Sequence, residues 1–262
     1  MALGPSNLSL ARKLLKMKHC RFDILIIGGG SDIAQHLARR LIDEDCKVTM
    51  LVRNNESLDE QIASKVKVVN GDALSSSDLA TAIEIATQQG DGKISGMAHL
   101  VGSILIRPPH AVKVEAFEEV VQTNLVSAFM ALSMTCKAML KSGGGRVVFT
   151  SSVAASLGLV NHEAIAAAKG GIESMVRSAA ATYAQRKIRV NAVAPGLTDT
   201  KLSAPITRSE TILEAAVSMI PMKRINQPNE VAETMHWLLT SAPDNITGQV
   251  MHLDGGMRNV RN

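Results

Sequence analysis

From residue 23 to the end of the chain, short apolar segments alternate with longer stretches of helical periodicity. The apolar segments are predicted to be strands, at 23–28, 47–52, 66–69, 95–101, 146–151, 188–194 and 249–253. The stretches between them are predicted to be helices, at 32–43, 57–64, 76–89, 114–141, 162–186, 203–218 and 228–240. Regular alternation of strand and helix is typical of a parallel sheet with helices on both faces. The sequence therefore predicts an α/β fold with a doubly wound parallel sheet of about seven strands.

The 262 residues are predicted to form one domain, at 22–262, behind a short extension at 1–21. A single α/β domain of this size is ordinary, and no stretch of the chain is long enough to divide it. The extension is basic and lacks acidic residues, and we expect it to be solvated or to contact another subunit. We expect a cytoplasmic protein, although a basic, amphipathic segment also leaves import into an organelle open. The basic residues of the extension are Arg12, Lys13, Lys16, Lys18 and Arg21.

Composition argues against several classes of function. The net charge is +4, but the basic residues are scattered along the chain, which does not favour nucleic-acid binding. There is no run of 18 apolar residues, so no segment is predicted to cross a membrane. Cys20, Cys46 and Cys136 lie far apart and form no CxxC pair, so we expect free thiols and no metal site.

The stretch Asp23–Arg40 joins the first predicted strand to the first predicted helix through the three glycines at 28–30. Ser31 and Asp32 stand at the expected helix start, where their side chains can cap free backbone N–H groups. Such a turn binds phosphate, because bare backbone lets the anion approach and the helix N-terminus holds it. Asp32 and Ala34 occupy positions where glycine is usual in these turns. The turn therefore indicates a dinucleotide site, with an ordinary strand-to-helix turn as the alternative.

The second predicted strand ends at Val52 and Arg53, which bear on the choice of dinucleotide. Folds that select NAD carry an acidic residue about 20 residues beyond the glycine turn, and Val52 stands there instead. The guanidinium of Arg53 can pair with a 2′-phosphate in bidentate fashion, so this strand end favours NADP over NAD. A solvated loop arginine remains the alternative. Asp72, after the third strand, could accept from an adenine amino group or simply stabilise its turn.

Five later segments follow one another in an order that is specific for a protein family: IRVNAVAPG, PMKRI, PNEVA, TGQ and DGG, the first at 188–196 and the last at 254–256. With these segments the chain resembles the short-chain dehydrogenase/reductase family, whose members are single-domain Rossmann-fold oxidoreductases. The resemblance runs from about residue 22 to the C-terminus. It implies the same Rossmann fold and a nicotinamide cofactor, with NADP(H) favoured over NAD(H) by Arg53.

The resemblance also implies where the cofactor binds. The family's glycine turn, TGxxxGIG, corresponds to residues 27–34, and its NNAG motif corresponds to His99-Leu100-Val101-Gly102, in which only the glycine is kept. The loop after the sixth strand would contact the nicotinamide carboxamide and the phosphates. The predicted cofactor-binding residues are Gly28, Gly30, Ser31, Asp32, Ile33, Arg53, Asp72, Ala73, Gly102, Lys169, Pro195, Gly196, Thr198 and Thr200.

The family's catalytic set is only partly present. In the family a tyrosine protonates the carbonyl oxygen as the cofactor delivers hydride, a serine holds that oxygen, and a lysine lowers the tyrosine pKa and binds the ribose. Ser152, Lys169 and the helix asparagine Asn124 match this set. The tyrosine position is Ile165, which cannot donate a proton. The chain's single tyrosine, Tyr183, lies near the end of the long helix, and we interpret it as a packing residue.

His162 is the predicted substitute for the missing proton donor, because imidazole titrates near neutral pH. It precedes Lys169 by about two helical turns, so both could lie on one helix face. Glu163 is a second candidate and would need a raised pKa. A loop histidine without chemistry remains the alternative for His162. His99, at the end of the fourth strand, is either near the nicotinamide ribose or a structural histidine.

Two classes of function fit these residues. The first is an NADP(H)-linked oxidoreductase that reduces a carbonyl or oxidises an alcohol with a divergent site, and the second is a dinucleotide-binding sensor or partner protein without turnover. Retention of Asn124, Ser152 and Lys169 favours the enzyme. The substrate is a small molecule of unknown identity, bounded in the family by the segment at 197–219. By resemblance the helices at 114–141 and 162–186 pair between subunits of a dimer or tetramer, although they could equally be buried within one subunit.

Overall fold

The computed structural model describes residues 22–260, and these form one seven-stranded parallel sheet in the order β3-β2-β1-β4-β5-β6-β7. This confirms the predicted α/β class and the Rossmann fold. The strand order reverses between β1 and β4, and ligands of such sheets bind at this switch point, at the carboxyl ends of the strands. The strands are β1 (Asp23–Ile27), β2 (Lys47–Val52), β3 (Lys67–Asn70), β4 (Gly96–His99), β5 (Gly145–Thr150), β6 (Ile188–Pro195) and β7 (Val250–Leu253).

Helices cover both faces of the sheet, as the alternating pattern predicts. They are α1 (Asp32–Asp43), α2 (Glu60–Ala63), α3 (Ser76–Gln89), α4 (Val114–Val121), α5 (Ser127–Ser142), α6 (Glu163–Tyr183), α7 (Ala204–Thr207), α8 (Glu210–Ser218) and α9 (Pro228–Thr240). Helices α3, α5 and α6 pack on one face, and α1 and α9 pack against each other on the other face. The predicted extension at 1–21 lies outside the described residues.

The strands divide the core in two because successive side chains point to opposite faces. In β1, Leu25 and Ile27 pack with α3, α5 and α6, whereas Ile24 and Ile26 pack with α1 and α9. All four side chains are buried, as expected for a strand covered on both faces. The continuous apolar run at the start of the domain is therefore explained by its central position in the sheet.

Three predicted helices are divided in the structure. The stretch at 114–141 contains a π-helical turn, Gln122–Val126, between α4 and α5. Such a turn adds one residue while the chain stays helical, so helical periodicity alone does not reveal it. The stretch at 203–218 is divided at Ser209, whose backbone is extended before α8. The stretch at 57–64 contains only the short helix α2, preceded by a 3₁₀ turn at Asn55–Ser57.

The segment Val114–Ser142 is long and apolar enough to cross a membrane by length and composition alone, which the absence of a continuous apolar run did not predict. In the structure this segment packs on the sheet, and Ala131, Cys136 and Met139 of α5 belong to the core. The thiol of Cys136 is free, and burial raises its pKa to about 12. Cys46 is disulfide-bonded, so the prediction of free thiols is wrong for this residue, since sequence separation does not encode pairing. Cys20 lies outside the described residues.

Candidate active site

The predicted site residues follow the carboxyl ends of six neighbouring strands and so meet at one edge of the sheet. This is the edge at which open parallel sheets bind their ligands. From β1 to β6 in chain order, the residues that mark these strand ends are Gly28, Arg53, Asp72, Gly102, Ser152 and Gly196.

The glycine turn packs directly against the chain that leaves β4. Gly28 has a φ of +87°, and a Cβ atom there would lie 2.8 Å from the carbonyl carbon of Leu100. The backbone N–H groups of Gly28 and Gly29 both donate to the Leu51 carbonyl, at 3.1 and 3.0 Å. Ser31 caps α1, since its hydroxyl accepts from the Ala34 N–H at 3.2 Å. The turn therefore needs glycine for two reasons, its backbone conformation and the close approach of a second strand end.

Asp32 joins the glycine turn to the loop that follows β6. Its carboxylate accepts a hydrogen bond from the Lys201 backbone N–H at 2.7 Å, and its Oδ1 lies 4.0 Å from Lys201 Nζ. The cap of α1 is supplied by Ser31, so Asp32 is free to make this long-range contact. The carboxylate that replaces a family glycine is thus bound to a neighbouring backbone N–H and partly balanced by an ammonium group. Sequence reasoning missed Lys201, because nothing in the local pattern brings it to the turn.

The loop after β6 is held by its own hydroxyl groups. Thr198 Oγ1 donates to the Gly196 carbonyl at 3.0 Å, and Thr200 Oγ1 lies 3.1 Å from Ser203 Oγ. The Gly196 N–H donates to the Leu253 carbonyl at 2.7 Å, which fixes the start of the loop against β7. The loop therefore lies in a defined position over the carboxyl edge of the sheet, with Pro195 as the last residue of β6.

Arg53 and Asp72 occupy the ends of β2 and β3. The Arg53 side chain is exposed, and within residues 22–260 it makes no ion pair. Asp72 Oδ1 accepts from the Leu74 N–H at 2.8 Å, so its turn-stabilising role is realised in the structure. Ala73, beside it, is buried. Arg53 is thus available to a ligand, whereas Asp72 has one carboxylate oxygen already engaged.

Lys169 is a buried cation on α6. Its Nζ donates to the Thr150 carbonyl at the end of β5, at 2.8 Å, and burial lowers the pKa of its ammonium group to about 8. An ammonium group has three N–H donors, so two remain for other partners. A Cβ atom at Gly102 would lie 3.5 Å from Nζ, so a glycine at this position leaves space beside the ammonium group.

Asn124 lies on the π-helical turn between α4 and α5 and is fully buried. Its amide nitrogen donates to the Val120 carbonyl at 2.9 Å and to Ser103 Oγ at 3.0 Å. Its Oδ1 accepts from the Ser103 N–H at 3.3 Å and would lie 3.0 Å from a Cβ atom at Gly102. The structure therefore brings Asn124, Gly102 and Lys169 together, and it adds Ser103, which sequence reasoning did not identify.

Comparison with known proteins places this chain in a family. A family profile described as enoyl-(acyl carrier protein) reductase matches residues 28–258. A tropinone reductase homolog of Arabidopsis thaliana is 32% identical over 239 residues, covering 88% of this chain and 90% of the relative. The 3-oxoacyl-[acyl-carrier-protein] reductase MabA of Mycobacterium tuberculosis is 31% identical over 235 residues, covering 89% and 92%. A short-chain type dehydrogenase/reductase from Mycobacterium ulcerans has a TM-score of 0.86 at 28% identity, covering 91% and 90%. The chain is a short-chain dehydrogenase/reductase.

Members of the short-chain dehydrogenase/reductase family are oxidoreductases that use a nicotinamide cofactor, act on small molecules and are commonly oligomeric. Among the solved structures, levodione reductase has a TM-score of 0.84 at 28% identity, covering 92% of this chain and 99% of the other. A protein from Beutenbergia cavernae whose structure contains NADP at low occupancy has a TM-score of 0.82 at 25% identity, covering 89% and 95%.

The residues of this dehydrogenase/reductase fit a nicotinamide dinucleotide. The bare turn at Gly28 and the capped N-terminus of α1 suit a pyrophosphate, as helix N-termini bind anions. A free N–H donor of Lys169 beside Gly102 suits a ribose hydroxyl. Ile33, in the first turn of α1, is half-buried at the same edge.

Ile165, which the sequence comparison with the family motif aligns with the tyrosine, has a buried apolar side chain in the structure. The side chain is 4% exposed and lies in an apolar cluster with Val120, Ala154 and Ala168. Tyr183 packs against the main core at the far end of α6, which confirms that it is a packing residue. Neither Ile165 nor Tyr183 therefore places a hydroxyl group beside Lys169.

Ser152 and His162 lie on either side of the loop between β5 and α6. Ser152 Oγ accepts from the Ala154 N–H at 3.2 Å, so its own proton remains available to a ligand. The Nδ1 atom of His162 lies 2.7 Å from the Val160 carbonyl, so Nδ1 carries a proton. His162 immediately precedes α6, about 10 Å from Lys169 along the helix axis, and no hydrogen bond joins His162 to Ser152 or Lys169 among the described residues. Glu163, next to it, is exposed.

Proposed function

We propose that this protein is an NADP(H)-dependent dehydrogenase/reductase that interconverts a carbonyl group and an alcohol. The observation that carries the proposal is the buried ammonium group of Lys169, held by the Thr150 carbonyl beside Gly102 and Asn124. Burying a cation is unfavourable unless something offsets the cost, and a ribose diol at this point would supply the missing hydrogen-bond partners. The activities that the relatives are named for, reduction of 3-oxoacyl groups and of levodione among them, support carbonyl chemistry.

The chain's own residues would divide the work as follows. The bound cofactor supplies hydride. Lys169 holds the ribose, Asn124 fixes the loop at Ser103 that leads away from β4, and Ser152 donates its hydroxyl proton to the substrate oxygen as a hydrogen bond. His162 has an unprotonated Nε2 in its neutral form, and after protonation this atom can give a proton to the developing alkoxide directly or through water.

Restoring the family tyrosine tests whether the rest of this site is intact. We expect Ile165→Tyr to raise turnover at least about tenfold on any aldehyde or ketone that the wild type reduces, because a positioned general acid contributes about 10²–10⁴-fold. The tyrosine ring must fit into an apolar cluster that now holds isoleucine, so the free energy of unfolding should fall by about 1–3 kcal/mol. Ile165→Phe is the matched control, with the same ring and no hydroxyl. Equal rates for the two variants would show that Ser152 and Lys169 are not arranged for carbonyl reduction.

The preference for NADP(H) rests on the exposed arginine at the end of β2. We expect Arg53→Glu to weaken NADPH binding by about 10- to 100-fold, because a charge-assisted bidentate pair is lost and a like charge is introduced. NADH binding should change less than about threefold. Fluorescence titration of reduced nicotinamide measures both affinities. Lys93→Glu carries the same charge change on the chain that enters β4, at the opposite edge of the sheet, and should leave both affinities unaltered.

A second candidate function is a dinucleotide-binding sensor or partner protein, favoured by the buried isoleucine at the tyrosine position. A panel of aldehydes, ketones and quinones, followed by nicotinamide absorbance, separates the two. Turnover that disappears in Ser152→Ala supports the enzyme, whereas tight NADPH binding with no turnover on any substrate supports the sensor. Failure to bind either nucleotide would exclude both. We also propose a homodimer or homotetramer, because Phe129 and Leu140 are exposed on α5 and support pairing through that helix.

A further inference from the structure

The ring of His99 is fully buried at the end of β4, and the structure fixes its protonation state. Its Nε2 atom lies 3.1 Å from Ser127 Oγ. The Ser127 hydroxyl donates its one proton to the Thr123 carbonyl at 2.6 Å. A hydroxyl that has used its proton can only accept from a second neighbour. His99 therefore carries its proton on Nε2.

The other ring nitrogen, Nδ1, is then a buried hydrogen-bond acceptor. It has no hydrogen-bond partner among the described residues, and buried polar atoms without partners are rare and costly. Burial, together with the positive charge of Lys169, lowers the pKa of His99 to about 3. The ring therefore stays neutral at physiological pH, and Nδ1 keeps its lone pair.

His99 is also linked to Lys169 through the main chain of β5. Thr150 Oγ1 donates to the His99 carbonyl at 3.0 Å, and the Thr150 carbonyl accepts from Lys169 Nζ at 2.8 Å. The charged side chains buried on this face of the sheet, within the described range, are Lys169 and Glu173, both on α6. Glu173 accepts a hydrogen bond from Ser151 Oγ at 2.8 Å. The unpartnered acceptor and the cation with unused donors thus lie in the same small region.

We propose that His99 is a positioning residue for Lys169. Its Nδ1 lone pair accepts a hydrogen bond from one internal water molecule, which in turn accepts one from the Lys169 ammonium group. This water-mediated contact keeps that group protonated and oriented toward the site, and it leaves the third N–H of Lys169 for a ribose hydroxyl. The role of Lys169 toward a ribose rests on the proposed function, but the state of the His99 ring does not. A histidine at this position thus supplies a fixed acceptor where the family motif has asparagine.

Nitrogen NMR of ¹⁵N-histidine-labelled protein tests the ring directly, without cofactor or turnover. The resonances of His99 are assigned by their loss in His99→Asn. We expect Nδ1 to be unprotonated and Nε2 to be protonated from pH 5 to pH 9. The chemical shift of Nδ1 should differ from that of a nitrogen with a free lone pair and match that of a nitrogen that accepts a hydrogen bond. A proton on Nδ1, or an Nδ1 resonance at the position of a free lone pair, would overturn the proposal.

The pKa of Lys169, followed by NMR of ¹³C-labelled lysine, tests the coupling. His99→Phe keeps a ring against Phe149, whose centroid lies 5.8 Å from that of His99, but removes the acceptor, and we expect it to lower the Lys169 pKa by at least one unit, a tenfold change. His99→Asn keeps a hydrogen-bond acceptor at this position and should lower the Lys169 pKa by less. Thr135→Val removes another buried unpartnered polar atom and serves as the control, with no shift expected. An unchanged Lys169 pKa in His99→Phe would contradict the proposal, whether or not the protein proves to be an enzyme.

Discussion

Replacing Lys169 with methionine should abolish turnover and at the same time stabilise the protein below pH 8. The pKa of the buried ammonium group falls from its ordinary value of 10.5 to about 8, so the fold opposes the charged form. Between these two pH values the unfolded chain binds the proton and the folded chain does not, so wild-type stability rises with pH across this window. Below pH 8 the whole penalty is present, about 3 kcal/mol.

Methionine is close to lysine in length and carries no charge, so Lys169→Met removes that penalty. It also leaves the Thr150 carbonyl without its donor, at a cost of about 1–2 kcal/mol. We therefore expect a net gain of about 1–2 kcal/mol at pH 7, or a rise in Tm of a few degrees, which vanishes or reverses above about pH 10. NADPH affinity should fall at least about tenfold, as expected when hydrogen bonds from a charged group are lost.

Thermal unfolding of the wild type and of Lys169→Met between pH 6 and pH 10.5 measures the difference in stability between them. The titration of all other groups cancels in this difference. Lys65→Met, at an exposed position after α2, is the matched control and should change neither stability nor affinity. A difference between Lys169→Met and wild type that did not vary with pH would show that Lys169 titrates as an ordinary surface lysine does.

Substituting alanine for Gly28 should destabilise the protein far more than substituting alanine for Gly92, although both glycines have a φ of +87°. Both substitutions carry the cost of a left-handed backbone, about 1–2 kcal/mol. Only at Gly28 does the new Cβ meet backbone, 2.8 Å from the Leu100 carbonyl carbon, whereas nothing lies within 4 Å at Gly92. We expect Gly28→Ala to cost about 2 kcal/mol more than Gly92→Ala and to eliminate measurable NADPH binding.

Denaturant unfolding gives the two free energies, and their difference isolates the close approach between the glycine turn and the end of β4. Nucleotide titration of the folded fraction separates a local defect from global unfolding, since Gly92→Ala should bind normally. Equal destabilisation by the two substitutions would mean that the turn can move away from Leu100 at no cost.

Much of the fold follows from the sequence because its strands are buried on both faces and its helices carry a continuous apolar stripe. Leu25 and Ile26 point to opposite faces of the sheet, so both faces must be covered. Helices that alternate with the strands cover both faces. The division between α4 and α5 could not be predicted, because the chain remains helical through the π-helical turn at Gln122–Val126. This turn also carries Asn124, so the irregularity that the sequence does not reveal positions a candidate site residue.

The sequence predicts which of the candidate residues share an edge of the sheet, but it does not predict their contacts. Motif spacing placed Gly28 and Gly102 just after β1 and β4, and strand ends in a parallel sheet share an edge. It could not pair Asp32 with Lys201, which are 169 residues apart in the chain. It also could not decide the tautomer of His99, since that depends on how Ser127 uses its single proton.

The packing of α9 on α1 has a consequence for how the chain is made. Leu37 and Leu41 of α1 share a core with Val231 and Met235 of α9, so within residues 22–260 the first α-helix is covered by the last. During synthesis on a ribosome, the N-terminal half emerges with this apolar surface still open to solvent. Completion of that core must wait until α9 has left the exit tunnel. For most of its translation, then, the nascent protein presents an unburied hydrophobic stripe of the kind that chaperones bind.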